Sequence, residues 1–128
     1  MNIRLVKYMK ENRNILIIAN DRYTRDLLFK CIAPLFEECE CIEYGFIKDI
    51  RAKNKHIKIS TTQLLIRGRE KPDIIILDSE IEYEREYLID ECYTVTNNVI
   101  SIDFSSIKER EQEMNDIIKE KFPWLPIQ

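Results

Sequence analysis

The stretch Asn14-Ile-Leu-Ile-Ile-Ala-Asn-Asp-Arg-Tyr-Thr-Arg-Asp-Leu-Leu decides the fold: an apolar run breaks into a short polar loop and then a helical pattern. A continuous Ile-Leu-Ile-Ile run marks a strand buried on both faces, Asn14 to Ala19. The loop Ala19 to Arg25 follows its carboxyl end, where open α/β sheets hold their ligands. That loop has no glycine to admit a phosphate to the backbone, no P-loop lysine, and no Cys, Ser or His directly at the strand end. Its best small-ligand reading is an anion at the helix N-terminus, met by Asn20, Arg22, Tyr23, Thr24 and Arg25. Asp21 and Asp26 oppose that reading, because the arginines can pair with them instead.

Further elements follow outward from this unit. Lys71-Pro-Asp-Ile-Ile-Ile-Leu-Asp-Ser predicts a second buried strand whose exit, Asp78-Ser79, faces the same edge as Asn20-Asp21. Ahead of the first strand, Ile3, Val6, Tyr8 and Met9 fall near helical spacing among Arg4, Lys7 and Lys10, which predicts a short amphipathic helix over 1–12. A helix from Arg22 to Phe36 carries the stripe Leu27, Leu28, Cys31, Ile32, Leu35 and Phe36, and Pro34 bends or ends its last turn. Cys39 to Ile47 alternates as a half-exposed strand, and Lys48 to Lys58 is either a loop or a hairpin partner at His56-Ile-Lys-Ile. Ser60 and Thr61 offer an N-cap for a helix through Arg69. A poorly apolar helix, Tyr83 to Cys92, precedes a strand at Asn98 to Phe104. Ser105, Ser106 and Glu109 then resemble a capping box opening a final helix to Phe122, stopped by Pro123. The predicted fold is α/β, an open four-stranded, mainly parallel sheet with helices on both faces and right-handed crossovers.

With 128 residues and 45% hydrophobic content, the chain suits one compact domain with a real core. A net charge of -3 and a pI near 5.3 argue against a general nucleic-acid binder. Local charge is uneven: Lys48 to Lys71 holds eight Lys or Arg against Asp49 and Glu70, while Asp78 to Glu91 holds seven acids against Arg85. This predicts two faces of opposite sign, either solvated or meeting across a self-association interface.

No secretory signal and no apolar run near 18 residues stand in the sequence, so a soluble, intracellular protein is expected. Cys39-Glu40-Cys41 suits neither a zinc knuckle nor a redox Cys-x-x-Cys pair, and its two thiols are expected on opposite faces of a strand. Cys31, on the apolar stripe of the second helix, reads as a buried structural thiol. Cys92 lies beside Glu91, whose charge disfavours the thiolate. The single histidine, His56, has no second metal ligand at a helical or hairpin spacing and reads as solvated or structural. No metal and no cofactor are expected.

Two family resemblances bear on these residues. Asn20-Asp21 after the first strand, with Asp78 after Pro72-Asp-Ile-Ile-Ile-Leu, resembles a response-regulator receiver, where an acidic pair and a phosphoaccepting aspartate bind magnesium. That resemblance implies Asp21 and Asp78 as an alternative phosphoacceptor and magnesium pair. A receiver has five strands, though, and a lysine after the last but one. Over Asn14 to Phe122 the predicted strand count is similar to the cytosolic IIB domain of sugar phosphotransferase systems, which carries a phosphorylated cysteine in a Cys-x-x-Gly-x-x-Thr-Ser type loop after strand one. The matching loop, Asn20-Asp21-Arg22-Tyr23-Thr24-Arg25, has neither the cysteine nor the glycines.

Degenerate IIB-like domains occur at the C-terminus of Mga/AtxA-type virulence transcription regulators, behind phosphotransferase-regulation domains, where they contribute to dimerisation. The resemblance implies a linker helix from a preceding domain over 1–13 and a IIB-like α/β domain over 14–128. It further implies a cytoplasmic, non-enzymatic regulatory module that forms a homodimer and meets other domains of its regulator, without touching nucleic acid or membrane itself. The expected interface lies on the final helix and the strand-two side, with Tyr44, Phe46, Ile117 and Trp124 as anchors. The competing role for Trp124 and Phe122 is to close the core against the open sheet edge. An active phosphotransferase IIB component is the remaining alternative, and it requires a labile phosphate on a cysteine.

Overall fold

The structure, a computed structural model, describes residues 3–61 and 71–121. Its elements are α1 (Ile3–Glu11), β1 (Asn14–Ile18), α2 (Arg22–Ile32) with a 3-10 turn (Ala33–Leu35), β2 (Cys39–Tyr44), β3 (Ile47–Ala52) and β4 (Lys55–Ser60). β5 (Ile74–Asp78), α3 (Arg85–Tyr93), β6 (Val99–Ile102) and α4 (Ser105–Lys121) complete them. The helix expected through Arg69, and Phe122, Pro123 and Trp124, lie outside the described residues.

The α/β class and the open sheet agree with expectation, but the sheet has six strands rather than four and is mixed, in the order β2-β3-β4-β1-β5-β6. β4, β1, β5 and β6 run parallel, while β2, β3 and β4 are joined as antiparallel neighbours. The difference arises between Cys39 and Ser60. The strand read through to Ile47 instead turns at Gly45, whose φ of +59° is a left-handed conformation free of a Cβ penalty in glycine. Tyr44 pairs with Ile47 across the two-residue loop, and Ala52 pairs with Lys55 across the next. The basic segment after Gly45 forms strands because Ile50, Ile57 and Ile59 supply apolar positions, each buried completely.

The alternation of a strand distributes the core over both faces. Ile15 and Ile17 of β1, Ile57 and Ile59 of β4 and Ile74 and Ile76 of β5 face one layer, formed by Leu5 and Met9 of α1, Leu27, Leu28 and Ile32 of α2, and Ile107 of α4. Leu16, Ile18, Ile75 and Leu77 face the other, against Leu88 and Cys92 of α3. α1 is therefore seated on the sheet of this domain. Its exit is held by Asp73, whose Oδ2 accepts the N–H groups of Arg13 and Asn14 at 3.0 and 2.9 Å. Lys55 donates its Nζ to the carbonyls of Lys10 and Asn12, satisfying groups that the helix end leaves without an internal partner. α2 gives way at Ile32 to the 3-10 turn that contains Pro34, four residues earlier than the apolar stripe alone implies. No helix among the described residues is long and apolar enough to cross a membrane.

Because Leu5 has no solvent exposure within the larger core cluster, Leu5→Ala is expected to cost about 2–5 kcal/mol, read as a lower urea midpoint. An unchanged midpoint would mean that α1 contributes nothing to the fold.

Candidate functional site

The carboxyl ends of β1, β5 and β6 share one edge of the sheet, and their loops are tied to one another by side chains. Asp21 takes an extended backbone as N-cap of α2, and its Oδ1 accepts the Thr24 N–H at 2.7 Å. Asp78, at the end of β5, has no exposed surface. Its Oδ2 accepts the N–H of Asn20 at 3.0 Å and its Oδ1 that of Glu80 at 3.0 Å, so one carboxylate joins the loops after β1 and β5. Arg85 fastens the next turn, donating from Nη1 to the carbonyls of Asp78 (3.2 Å) and Ile81 (2.8 Å) and from Nη2 to Ser101 Oγ (2.6 Å). Glu84, immediately before it, is held at φ 51°, ψ 32°, a left-handed conformation that costs a non-glycine residue on the order of 1 kcal/mol. At the start of α4, Asp103 Oδ1 accepts the Ser105 N–H at 2.9 Å, and Lys108 Nζ meets Glu80 Oε2 at 2.6 Å.

Proton affinities follow these contacts. Partial burial pushes the Asp21 carboxyl up, but hydrogen bonds from the Thr24 backbone and hydroxyl and the charge of Lys108 outweigh it, leaving a lowered pKa. Asp103 is lowered by the hydrogen bonds from Ser105. Burial works against the Lys108 ammonium, yet the bond to Glu80 and the charges of Glu80, Asp21 and Asp78 raise its pKa overall. Lys108 escaped sequence reasoning. It is supplied from the first turn of α4, and only a Ser-Ser-Ile-Lys spacing after the last strand hints at it.

Of the residues read as an anion site, Asn20, Arg22 and Tyr23 are exposed while Thr24 and Arg25 are buried. Arg25 is engaged by Asp26, with Nη2 2.8 Å from Oδ1, and by the Phe46 carbonyl, 3.1 Å from Nη1. It ties α2 to the β2–β3 turn, and a ligand would have to break that tie to use it. Lys48 adds to the same joint, with Nζ 3.2 Å from Asp26 and 5.1 Å above the Phe29 ring. Partial burial raises and these cations lower the Asp26 carboxyl, with a net lowering.

The expected interface residues come from different elements. Tyr44 and Phe46 flank the β2–β3 turn beside the start of α2, whereas Ile117 stands 12 residues along α4, roughly 18 Å from its start, and Trp124 is outside the described residues.

A second polar cluster was not legible in sequence. Asp49 on β3 is fully buried, with His56 Nε2 2.5 Å from its Oδ1 and with Arg51 Nε and the Tyr44 hydroxyl 3.3 and 3.4 Å from its Oδ2. Arg51 stands opposite His56 in the register, so Asp49 and His56 are diagonal neighbours only once the hairpin forms. An open groove of about 650 Å³ at the start of α3 is lined by Glu82, Glu84, Arg85, Glu86 and Tyr87. Among the described residues no three His, Cys, Asp or Glu side chains are grouped to hold a metal ion.

Comparison with family models, with curated proteins and with solved structures finds no match to this chain.

Two stability outcomes are expected. Asp78→Ala removes the buried acceptor of two part-buried hydrogen bonds and should cost about 1–3 kcal/mol in total, measured by urea unfolding. Asp21→Ala should cost about 0.5–2 kcal/mol at pH 7 through the lost cap. Since the folded pKa of Asp21 lies below its unfolded value of about 3.9, that contribution is full above roughly pH 4 and fades as pH falls through the folded value. Unfolding curves for wild type and Asp21→Ala at pH 7 and pH 3 should therefore converge at the lower pH.

Proposed function

We propose that this chain is a non-catalytic regulatory module that works by self-association, as IIB-like domains without a phosphoacceptor do in Mga/AtxA-type transcription regulators. The observation that carries this reading is how the carboxyl edge uses its polar groups. Asp21, Asp78, Arg25 and Arg85 are each engaged by neighbouring backbone or side chains, which leaves little free chemistry where an open α/β sheet would hold a substrate. Large apolar surface, by contrast, stands exposed at the same corner: Tyr23 at 51%, Tyr44 at 40% and Phe46 at 52%. Aromatic side chains on a rigid turn lose little entropy on contact and are the usual anchors of protein interfaces. In this reading the corner joins two copies and so pairs the DNA-binding domains of the parent regulator, while this domain itself touches neither DNA nor membrane.

A degenerate receiver is the second reading, and Lys108 favours it. Its ammonium feels both Asp21 and Asp78, as the charge pattern of a receiver requires. The burial of Asp78 and the use of both its oxygens by N–H groups weigh against attack on a phosphodonor.

Sedimentation equilibrium over a concentration series separates the two. The module reading expects a dimer indifferent to magnesium and acetyl phosphate, weakened at least tenfold by Phe46→Ser, a change that spares the backbone carbonyl used by Arg25. Association only with magnesium and phosphodonor, lost in Asp78→Asn, would replace it with the receiver reading.

A further inference from the structure

Cys39 and Cys41 were expected on opposite faces of their strand, and the structure overturns this: residues two apart on a strand share a face, and the two Sγ atoms lie 3.7 Å from each other. We propose that this pair is half of a thiolate zinc site, completed by the same two cysteines of a second copy of this chain. With a Zn–S bond of about 2.3 Å, the sulfurs of a tetrahedral site stand about 3.8 Å apart, which the pair already matches without backbone movement. A disulfide would instead require closure to about 2.05 Å between residues at the far limit of the permitted Cα separation.

The place of the pair in the fold allows access. β2 is the outermost strand and, among the described residues, pairs only with β3. Cys41 is exposed, whereas Cys39 is half-buried against the core, its thiol donating to the Ala33 carbonyl at 3.8 Å, a bond that is given up when the sulfur binds zinc as a thiolate. Both cysteines are free thiols. A metal ion changes this by displacing protons: four thiols and one Zn²⁺ give one tetrathiolate complex and four H⁺. The second copy enters through coordination number. No third His, Cys, Asp or Glu among the described residues joins the pair, and a closed structural zinc site takes four ligands. Two edge strands, each bringing two sulfurs, supply them.

The inference rests on the self-association reading only for the second pair of ligands, and the test keeps the two apart. The full-length chain, reduced with a phosphine and freed of metal, is titrated with cobalt(II) and followed by its thiolate charge-transfer and tetrahedral ligand-field bands. Mass is measured by sedimentation equilibrium with zinc and with EDTA. The expected result is saturation at one ion per two chains, zinc-dependent doubling of mass or at least tenfold tighter association, and loss of both in Cys39→Ser and in Cys41→Ser but not in Cys92→Ser. Absence of the bands, saturation at one ion per chain in a monomer, or bands retained in Cys41→Ser would overturn the zinc bridge. A dimer that forms in EDTA and takes up no cobalt would overturn it as well, while leaving the self-association reading standing.

Discussion

Ile17 and Ile76 lie side by side in the parallel pair β1–β5, neither exposed to solvent, and the rest of the molecule answers the demands of that pair. All five residues of β5 and four of the five in β1 are buried, so both faces of the pair need an apolar cover. Each fully buried aliphatic side chain contributes about 1.5–3 kcal/mol relative to exposure, which makes this the largest concentration of stabilising contact in the chain. α1, α2 and α4 cover one face and α3 the other. The joints at the carboxyl edge follow from the same pairing. Once β1 and β5 are adjacent, the Asp78 carboxylate at the end of β5 accepts two N–H groups from the loops that leave them.

Charge is arranged along the strand axis. Helices α2 and α4 begin at the carboxyl edge, where Asp21 and Asp103 meet their first N–H groups. Lys10, Lys30, Lys119 and Lys121 lie in the last turns of α1, α2 and α4. Both placements complement the helix dipole. Three cations of the basic block that starts at Lys48 are engaged in local pairs. Lys48 holds Asp26, Arg51 holds Asp49, and Lys55 closes the end of α1. Large apolar side chains also stand exposed: the aromatic corner at Tyr23, Tyr44 and Phe46, and Tyr83, Tyr87 and Tyr93 on and before α3.

The two buried runs at Asn14 and Ile74, the helix that follows each half of the chain and the α/β class were legible because apolar periodicity reports burial directly. Arg25 could be suspected of pairing with Asp26 because the two are adjacent in sequence. Its bond to the Phe46 carbonyl could not, since it depends on where a turn 21 residues away comes to rest. The β2–β3–β4 meander was half-hidden for a similar reason. A single glycine decides whether an alternating segment runs straight or doubles back, and alternation continues unbroken through Gly45 in either case.

What the sequence by itself determined is therefore the set of elements that bury apolar surface, along with the local caps and charge blocks that attend them. Tertiary structure alone decided which polar side chains meet. Asp49 finds His56, Asp78 gathers Asn20 and Glu80, Lys108 reaches Glu80, and the sulfurs of Cys39 and Cys41 stand 3.7 Å apart on an open edge. Hydrophobic burial is non-directional and readable from composition and spacing, whereas a hydrogen bond, an ion pair or a thiolate pair needs a particular register before its atoms come within reach.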